Sequence, residues 1–314
     1  MRLRDLGEFG LIDRIERAVR RAGAAQGVVL GIGDDAAVLR PGRNEDLVAS
    51  TDAVVERVHF RFDWEPARSI GRRALAAALS DLAAMGARPL GVLAALAAPP
   101  SLDVAHADGL VRGLIEGARR WDAPLVGGNV TRARDTALTL SVIGAVPRGR
   151  ALRRSGARAG DRLFVTGTLG ASALAVARMG RGQRARLAPE PRLAAGRALA
   201  RLASVGACID VSDGLVADLG HLLDASGVGA VVDPARLPAP RGFAAACRRA
   251  GADPRRLLVA GGEDYELLFT LRPQGPGARV LAARLGVPVA EIGAITAARG
   301  LRGVGRDGGG FTHF

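Results

Sequence analysis

Apolar residues recur every three to four positions over residues 11–21, which predicts a short amphipathic helix, and they run on over 28–32 as a strand that ends at Gly33-Asp34-Asp35. A second strand is expected over 46–52, again ending in an acid. The Ala-rich stretch 66–86 reads as a long helix, 90–98 as a buried strand, 104–121 as a helix, and 124–127 and 137–146 as strands. Residues 147–160 are rich in Arg, Gly and Pro and have no apolar period, which marks a boundary. Beyond it, strands are expected over 162–166, 207–211, 265–271 and 290–295, with helices over 171–179, 192–203, 213–225, 241–250 and 277–285; residues 181–191 read as an exposed loop. Strands and helices mix without a clean βαβ alternation. The expected class is therefore α/β (α+β), with two mixed-sheet domains, 1–147 and 148–314, rather than a doubly wound parallel sheet.

Composition narrows the chemistry. The 314 residues are 48% hydrophobic but only 4% aromatic, so Ala, Leu, Val and Gly must fill the core. The net charge is +13, and every one of the 44 basic residues is arginine. Without lysine there is neither a Schiff-base amine nor a GxxxxGK phosphate loop, and a bound nucleotide must rely on Arg, backbone amides and metal. The arginines are dispersed, not gathered into a stripe with stacking aromatics, so nucleic acid is not an expected partner. Cys208 and Cys247 lack metal-like spacing and read as core thiols of a reducing cytosol. The first 19 residues are interrupted by charges, and the longest apolar stretch, 90–100, is too short for a bilayer; a soluble, cytoplasmic protein without a membrane partner is expected.

Acids set inside apolar segments carry the most information. Asp34 and Asp35 follow a strand, and Asp52 sits beside Ser50 and Thr51 between apolar runs. Asp210 and Asp213 bracket Ser212, while Glu263 and Asp264 follow a glycine pair. Asp81 shares a helix face with Ala74, Ala78 and Met85. One such acid reads as a structural ion pair or cap. Several together read as oxygen ligands for Mg²⁺, because a buried carboxylate needs a partner or a cation. Ser212 is expected to N-cap the following helix, whose start offers amides to a phosphate. GIGDDA also fits a GxGxxA dinucleotide pattern, but its two acids would face the pyrophosphate and Arg40-Pro41-Gly42 stops any helix soon after, so that reading is rejected. GTLG at 167–170 is a weak turn signal.

In order along the chain, GEFGLI (7–12), GIGDDAAVL (31–39), STD (50–52), SDLAAMGARP (80–89), GGN (127–129), RSGARAGD (154–161), IDVSDGL (209–215) and GGEDYEL (261–267) resemble the thiamine-monophosphate kinase family. The stretch from Asp81 to Pro89 is also similar to the wider superfamily of aminoimidazole ribonucleotide synthetase and selenophosphate synthetase, which use ATP without a phosphate-loop lysine. The resemblance implies a homodimer built through N-terminal strands that form a barrel, with ATP as co-substrate in the cleft between the domains and thiamine monophosphate as acceptor. It implies that Asp35, Ser50, Thr51, Asp52, Asp81, Asn129, Asp210 and Asp213 surround several Mg²⁺ ions, with Asp34 adjacent. Gly128, Asn129, Arg154 and Ser212 would contact ATP; His59, Glu263 and Phe311 would contact thiamine monophosphate; Asp210, Asp213 and Arg154 would act in catalysis. One departure stands out: the family carries Asp where this chain has Asn129, an amide ligand with less charge.

The expected reaction is direct transfer without a phospho-enzyme, since the acceptor is an ionised phosphate oxygen. Three rivals are weighed. A sister synthetase is disfavoured by GEFGLI, His59 and GGEDYEL, and a selenium-activating enzyme also by the lack of any Cys before Cys208. An inactive nucleotide-binding regulator has only Asn129 in its favour. A basic nucleic-acid binder would show salt-dependent binding to duplex DNA.

Overall fold

The computed structural model describes residues 2, 5, 8–22, 28–30 and 38–304. The chain divides into two compact units, one made of Met1–Leu82 with Arg88–Gly149, the other of Ala83–Ala87 with Arg150–Phe314.

In the first unit, helix α1 (Glu8–Ala22) precedes a small antiparallel pair, β1 (Val28–Leu30) and β2 (Val38–Leu39). Then follow β3 (Glu45–Val55), α2 (Ala67–Ala84), β4 (Arg88–Ala98), α3 (Val104–Arg120), β5 (Leu125–Arg132) and β6 (Ala137–Pro147). The four long strands form one sheet in the order β3-β6-β4-β5, with β4 and β5 parallel and the other pairs antiparallel. Strand alternation sorts the side chains of β3: Val48, Ser50, Asp52 and Val54 are partly or fully buried, while Leu47, Ala49, Thr51 and Ala53 are exposed. Helix α2 is buried over most of its surface, which suits its Ala-rich sequence. It meets α3 at glycines: a Cβ on Gly71 would lie 2.1 Å from the Leu110 carbonyl oxygen, and one on Gly113 2.1 Å from that of Arg68. The strand expected over 124–127 continues to Arg132. As the sheet's edge strand, it keeps its polar residues Asn129, Thr131 and Arg132 out of the core.

The second unit contains β7 (Arg162–Thr166), α4 (Ala171–Met179), α5 (Leu193–Ala200), β8 (Val205–Asp210), α6 (Leu215–Ser226), β9 (Gly229–Val232) and a 3₁₀ turn at Pro234–Arg236. They are followed by α7 (Phe243–Arg249), α8 (Pro254–Ala260), β10 (Leu267–Leu271), α9 (Ala278–Leu285), β11 (Val289–Thr296) and β12 (Gly300–Arg302). Six strands form a sheet in the order β12-β9-β11-β7-β10-β8, antiparallel except where β12 joins β9. One face carries the core of Leu163, Val165, Ile209, Leu219, Leu222, Leu268 and Ile292. Phe164 and Phe269 stack with ring centroids 5.5 Å apart. Cys208, opposite Phe269 in β8, is a buried free thiol whose amide donates to the Arg153 carbonyl at 2.8 Å; Cys247 is likewise free and buried. Among the described residues no helix is long and apolar enough to cross a membrane.

Candidate active site

Of the residues singled out by sequence, Asp34, Asp35 and Phe311 lie outside the described residues. The others fall into two sets, one in each unit. In the first unit, strand β3 and helix α2 bring Ser50 and Asp81 together, the Ser50 hydroxyl donating to the Asp81 carboxylate. Asp52, two positions along the same face of β3 as Ser50, is half-buried. Thr51 points to the opposite, exposed face, where its hydroxyl lies 3.1 Å from that of Ser141. The three residues of the STD motif therefore do not offer their side chains to one point.

His59 sits in the tight turn that follows β3. Its Nδ1 accepts the Val55 amide at 3.0 Å, so a neutral ring carries its proton on Nε2. Its own carbonyl accepts a hydrogen bond from Arg73 at 2.9 Å, and Arg73 is in turn held by Glu65 in a buried ion pair at 2.6 Å. Gly128 lies on β5 where β4 runs so close that a Cβ would fall 1.9 Å from the Ala94 carbonyl oxygen. Asn129 follows it, exposed and in register with Ala95.

In the second unit two loops meet at the end of β8 and the start of β10. The Glu263 amide donates to the Ser212 carbonyl at 2.7 Å, Tyr265 donates to Val211 at 2.8 Å, and Val211 donates to Glu266 at 2.8 Å. These bonds extend the β8–β10 ladder past its last strand pair, Leu267 with Asp210. Glu263 and Tyr265 both hold positive φ, 63° and 52°, a conformation uncommon for non-glycine residues. Their alternation turns Asp264 inward, where it accepts the amides of Gly170 at 2.6 Å and Ser172 at 3.3 Å at the start of α4. Glu266 is clamped by both Nε and Nη2 of Arg192, at 2.7 and 2.5 Å, and by the Thr166 hydroxyl at 2.6 Å. Burial, opposed by those backbone donors, pushes the Asp264 carboxyl up to about 7.

Around IDVSDGL two expectations are corrected. Ser212 does not cap α6: the N-cap is Gly214, with no side-chain cap bond. Nor are the loop amides open to a phosphate, because those of Ser212, Asp213 and Gly214 all donate to Asp218 Oδ2, at 3.0, 3.0 and 3.1 Å. Gly214 has φ 117°, and a Cβ there would fall 2.8 Å from the Ala260 carbonyl carbon, so conformation and space both require glycine. Asp210 is 4% exposed, and Ser212 and Asp213 are half-buried. Arg154 is exposed, with its carbonyl accepting the Ser226 hydroxyl at 3.0 Å.

Residues 33–146 match the AIR synthase related protein N-terminal domain, and residues 158–306 the corresponding C-terminal domain. The chain is 42% identical over 307 residues to thiamine-monophosphate kinase of Escherichia coli K12, covering 93% of this chain and 91% of that protein. It is 39% identical over 274 residues to thiamine-monophosphate kinase of Mycobacterium tuberculosis H37Rv, covering 85% and 81%. The chain belongs to the thiamine-monophosphate kinase family. A crystal structure of thiamine-monophosphate kinase from Stenotrophomonas maltophilia K279a superposes with a TM-score of 0.80 at 38% identity, covering 93% of this chain and 95% of that one. AaThiL complexed with AMPPCP and TMP superposes at 0.78 with 29% identity, covering 100% and 99%. Escherichia coli HypE, at 22% identity and 0.76, shares the fold alone.

Thiamine-monophosphate kinase chemistry, with its two anionic reactants, puts the acids in context. Among the described residues no three His, Cys, Asp or Glu side chains form a ready metal cage. The donor set nevertheless suits a hard cation. Burial, then the neighbouring Asp210 charge, push the Asp218 carboxyl up to about 7, with Asp213 adding to the repulsion, and a cation beside these oxygens would relieve it. Sequence reasoning missed Asp218 and the inward roles of Asp264 and Glu266. A signal for Asp218 was present: it is an acid four positions after Gly214, on a helix turn otherwise lined by Leu215, Leu219 and Leu222.

Proposed function

We propose that this chain catalyses Mg²⁺-dependent transfer of the γ-phosphoryl group of ATP to the phosphate of thiamine monophosphate, giving thiamine diphosphate and ADP in the last step of thiamine diphosphate synthesis. The observation that carries this reading is similarity along nearly the whole chain to thiamine-monophosphate kinases, including AaThiL complexed with AMPPCP and TMP. In this reading Asp35, Ser50, Asp52, Asp81, Asn129, Asp210, Asp213 and the Thr51 backbone hold Mg²⁺, which when bound screens the charge between the two reactants. Gly128, Asn129, Arg154 and Ser212 bind ATP. His59, Glu263 and Phe311 bind thiamine monophosphate, His59 with its Nε2 proton and Glu263 from its fixed left-handed backbone.

The acceptor oxygen is already ionised at neutral pH, so no side chain has to remove a proton. The work left to the protein is in-line positioning and stabilisation of the transferring group, for which the exposed Arg154 guanidinium offers a forked donor. We further propose a cytoplasmic homodimer. Its support is the face of β3 that carries Leu47, 61% exposed, with Ala49 and Ala53, a mostly apolar strand surface interrupted by Thr51 and suited to a second copy.

ADP release by purified protein with ATP and Mg²⁺, compared for thiamine monophosphate, free thiamine and no acceptor, tests the reading. Release with the monophosphate alone, abolished by a chelator, is the expected result. ATP binding without release would point to an inactive nucleotide-binding relative.

A further inference from the structure

The start of α6 is a helix N-terminus whose amide donors are already engaged. Three successive amides, of Ser212, Asp213 and Gly214, converge on one oxygen of Asp218, which is 2% exposed. Such a concave run of N–H groups is the arrangement that receives a phosphate or other anion in many nucleotide sites. Here the accepting oxygen belongs to the chain itself. With its N–H groups committed inward, the loop keeps the Ser212 carbonyl for the Glu263 amide, and the half-buried side chains of Ser212 and Asp213 retain access to solvent.

We propose that Asp218 is a positioning residue that occupies the place of a phosphate at the start of α6, fixing the backbone of residues 212–214 so that Ser212 and Asp213 meet the nucleotide through their side chains while the loop amides take no part in phosphate binding. The part played by Ser212 and Asp213 rests on the kinase reading; the internal acceptor does not. Gly214 completes the device, since its φ of 117° and its contact with Ala260 admit no other residue into the turn. The same arrangement explains why α6 starts without a side-chain cap: the carboxylate in its first turn already satisfies the donors that a cap would serve.

Hydrogen exchange of the wild-type protein, followed by mass spectrometry on peptides spanning residues 211–215, tests the proposal directly. These amides are expected to be protected about 100-fold or more without nucleotide, and no further when ATP and Mg²⁺ are added. Free exchange that slows only with ATP would overturn it, because the amides would then be binding phosphate. Asp218→Ala should remove the protection. Asp218→Asn should raise both the KM for ATP and the half-saturating Mg²⁺ concentration about tenfold. A merely structural carboxylate would lower the denaturation midpoint and leave both constants of the folded enzyme unchanged, which would also overturn the proposal. If the wild type fails to phosphorylate thiamine monophosphate, the kinase reading falls, yet the exchange pattern still decides the role of Asp218.

Discussion

The Glu263 amide and the Ser212 carbonyl are joined by a 2.7 Å hydrogen bond that ties the GGEDYEL loop to the IDVSDGL loop. Gly262 makes this approach possible, since a Cβ there would lie 2.5 Å from the same carbonyl oxygen. Gly262→Ala is therefore expected to destabilise the protein by roughly 1–3 kcal/mol through overpacking and to raise the KM for thiamine monophosphate more than that for ATP. Urea denaturation and steady-state kinetics check the two effects; an unchanged midpoint would show that the loops separate without cost.

Asp210→Asn should lower turnover about 100-fold or more while leaving the fold intact. Because the Asp210 charge opposes ionisation of Asp218, the same substitution should raise the unfolding midpoint in the presence of a chelator. ADP release and thermal denaturation separate these outcomes. Near-wild-type turnover would remove Asp210 from the metal assignment.

Asp264 gives the stability an inverted pH dependence. Burial keeps its carboxyl protonated in the folded chain up to about 7, whereas an unfolded aspartate loses its proton near 3.9. Below about pH 4 both states are protonated and the contribution is complete; as pH rises through 7 it is lost, by at most about 4 kcal/mol. Relative to Asp264→Asn, wild-type stability should decline between pH 4 and 7 and then level off. Urea titrations of both proteins across that range measure the difference.

Asn129→Asp places a carboxylate at this exposed position of β5. The half-saturating Mg²⁺ concentration for ADP release should fall several-fold, an order-of-magnitude expectation for adding a carboxylate to a hard-cation site. An unchanged Mg²⁺ dependence would show that Asn129 is no ligand.

The sequence made the strongly patterned elements plain. The strand at 162–166 and the helix at 171–179 coincide with β7 and α4, and the long Ala-rich helix ends within two residues of its expected bounds. Strands β9 and β12 escaped notice because four and three residues are too few to display a period. Helix α8, which starts at Pro254 and runs into the Gly261-Gly262 pair, was overlooked as well. Motif order singled out Asp81 and Ser50 and the loops around Ser212 and Glu263, and the structure joins each of these pairs by a hydrogen bond. What one-dimensional pattern could not supply was direction. Thr51 alternates away from Ser50, and the amides of residues 212–214 turn toward Asp218, because pleat and turn geometry decide where a group points after residue type has decided only what it is.

Cys208 gives strand β8 a natural reporter of its own opening. The thiol is buried, two residues before Asp210, and its amide is bonded to the carbonyl of Arg153, the neighbour of Arg154. Burial also pushes its ionisation up, so the reactive thiolate is scarce while the strand stays closed. The rate at which a thiol reagent modifies Cys208 therefore counts the excursions in which β8 parts from its surroundings, and it does so in the unaltered chain, without any introduced probe.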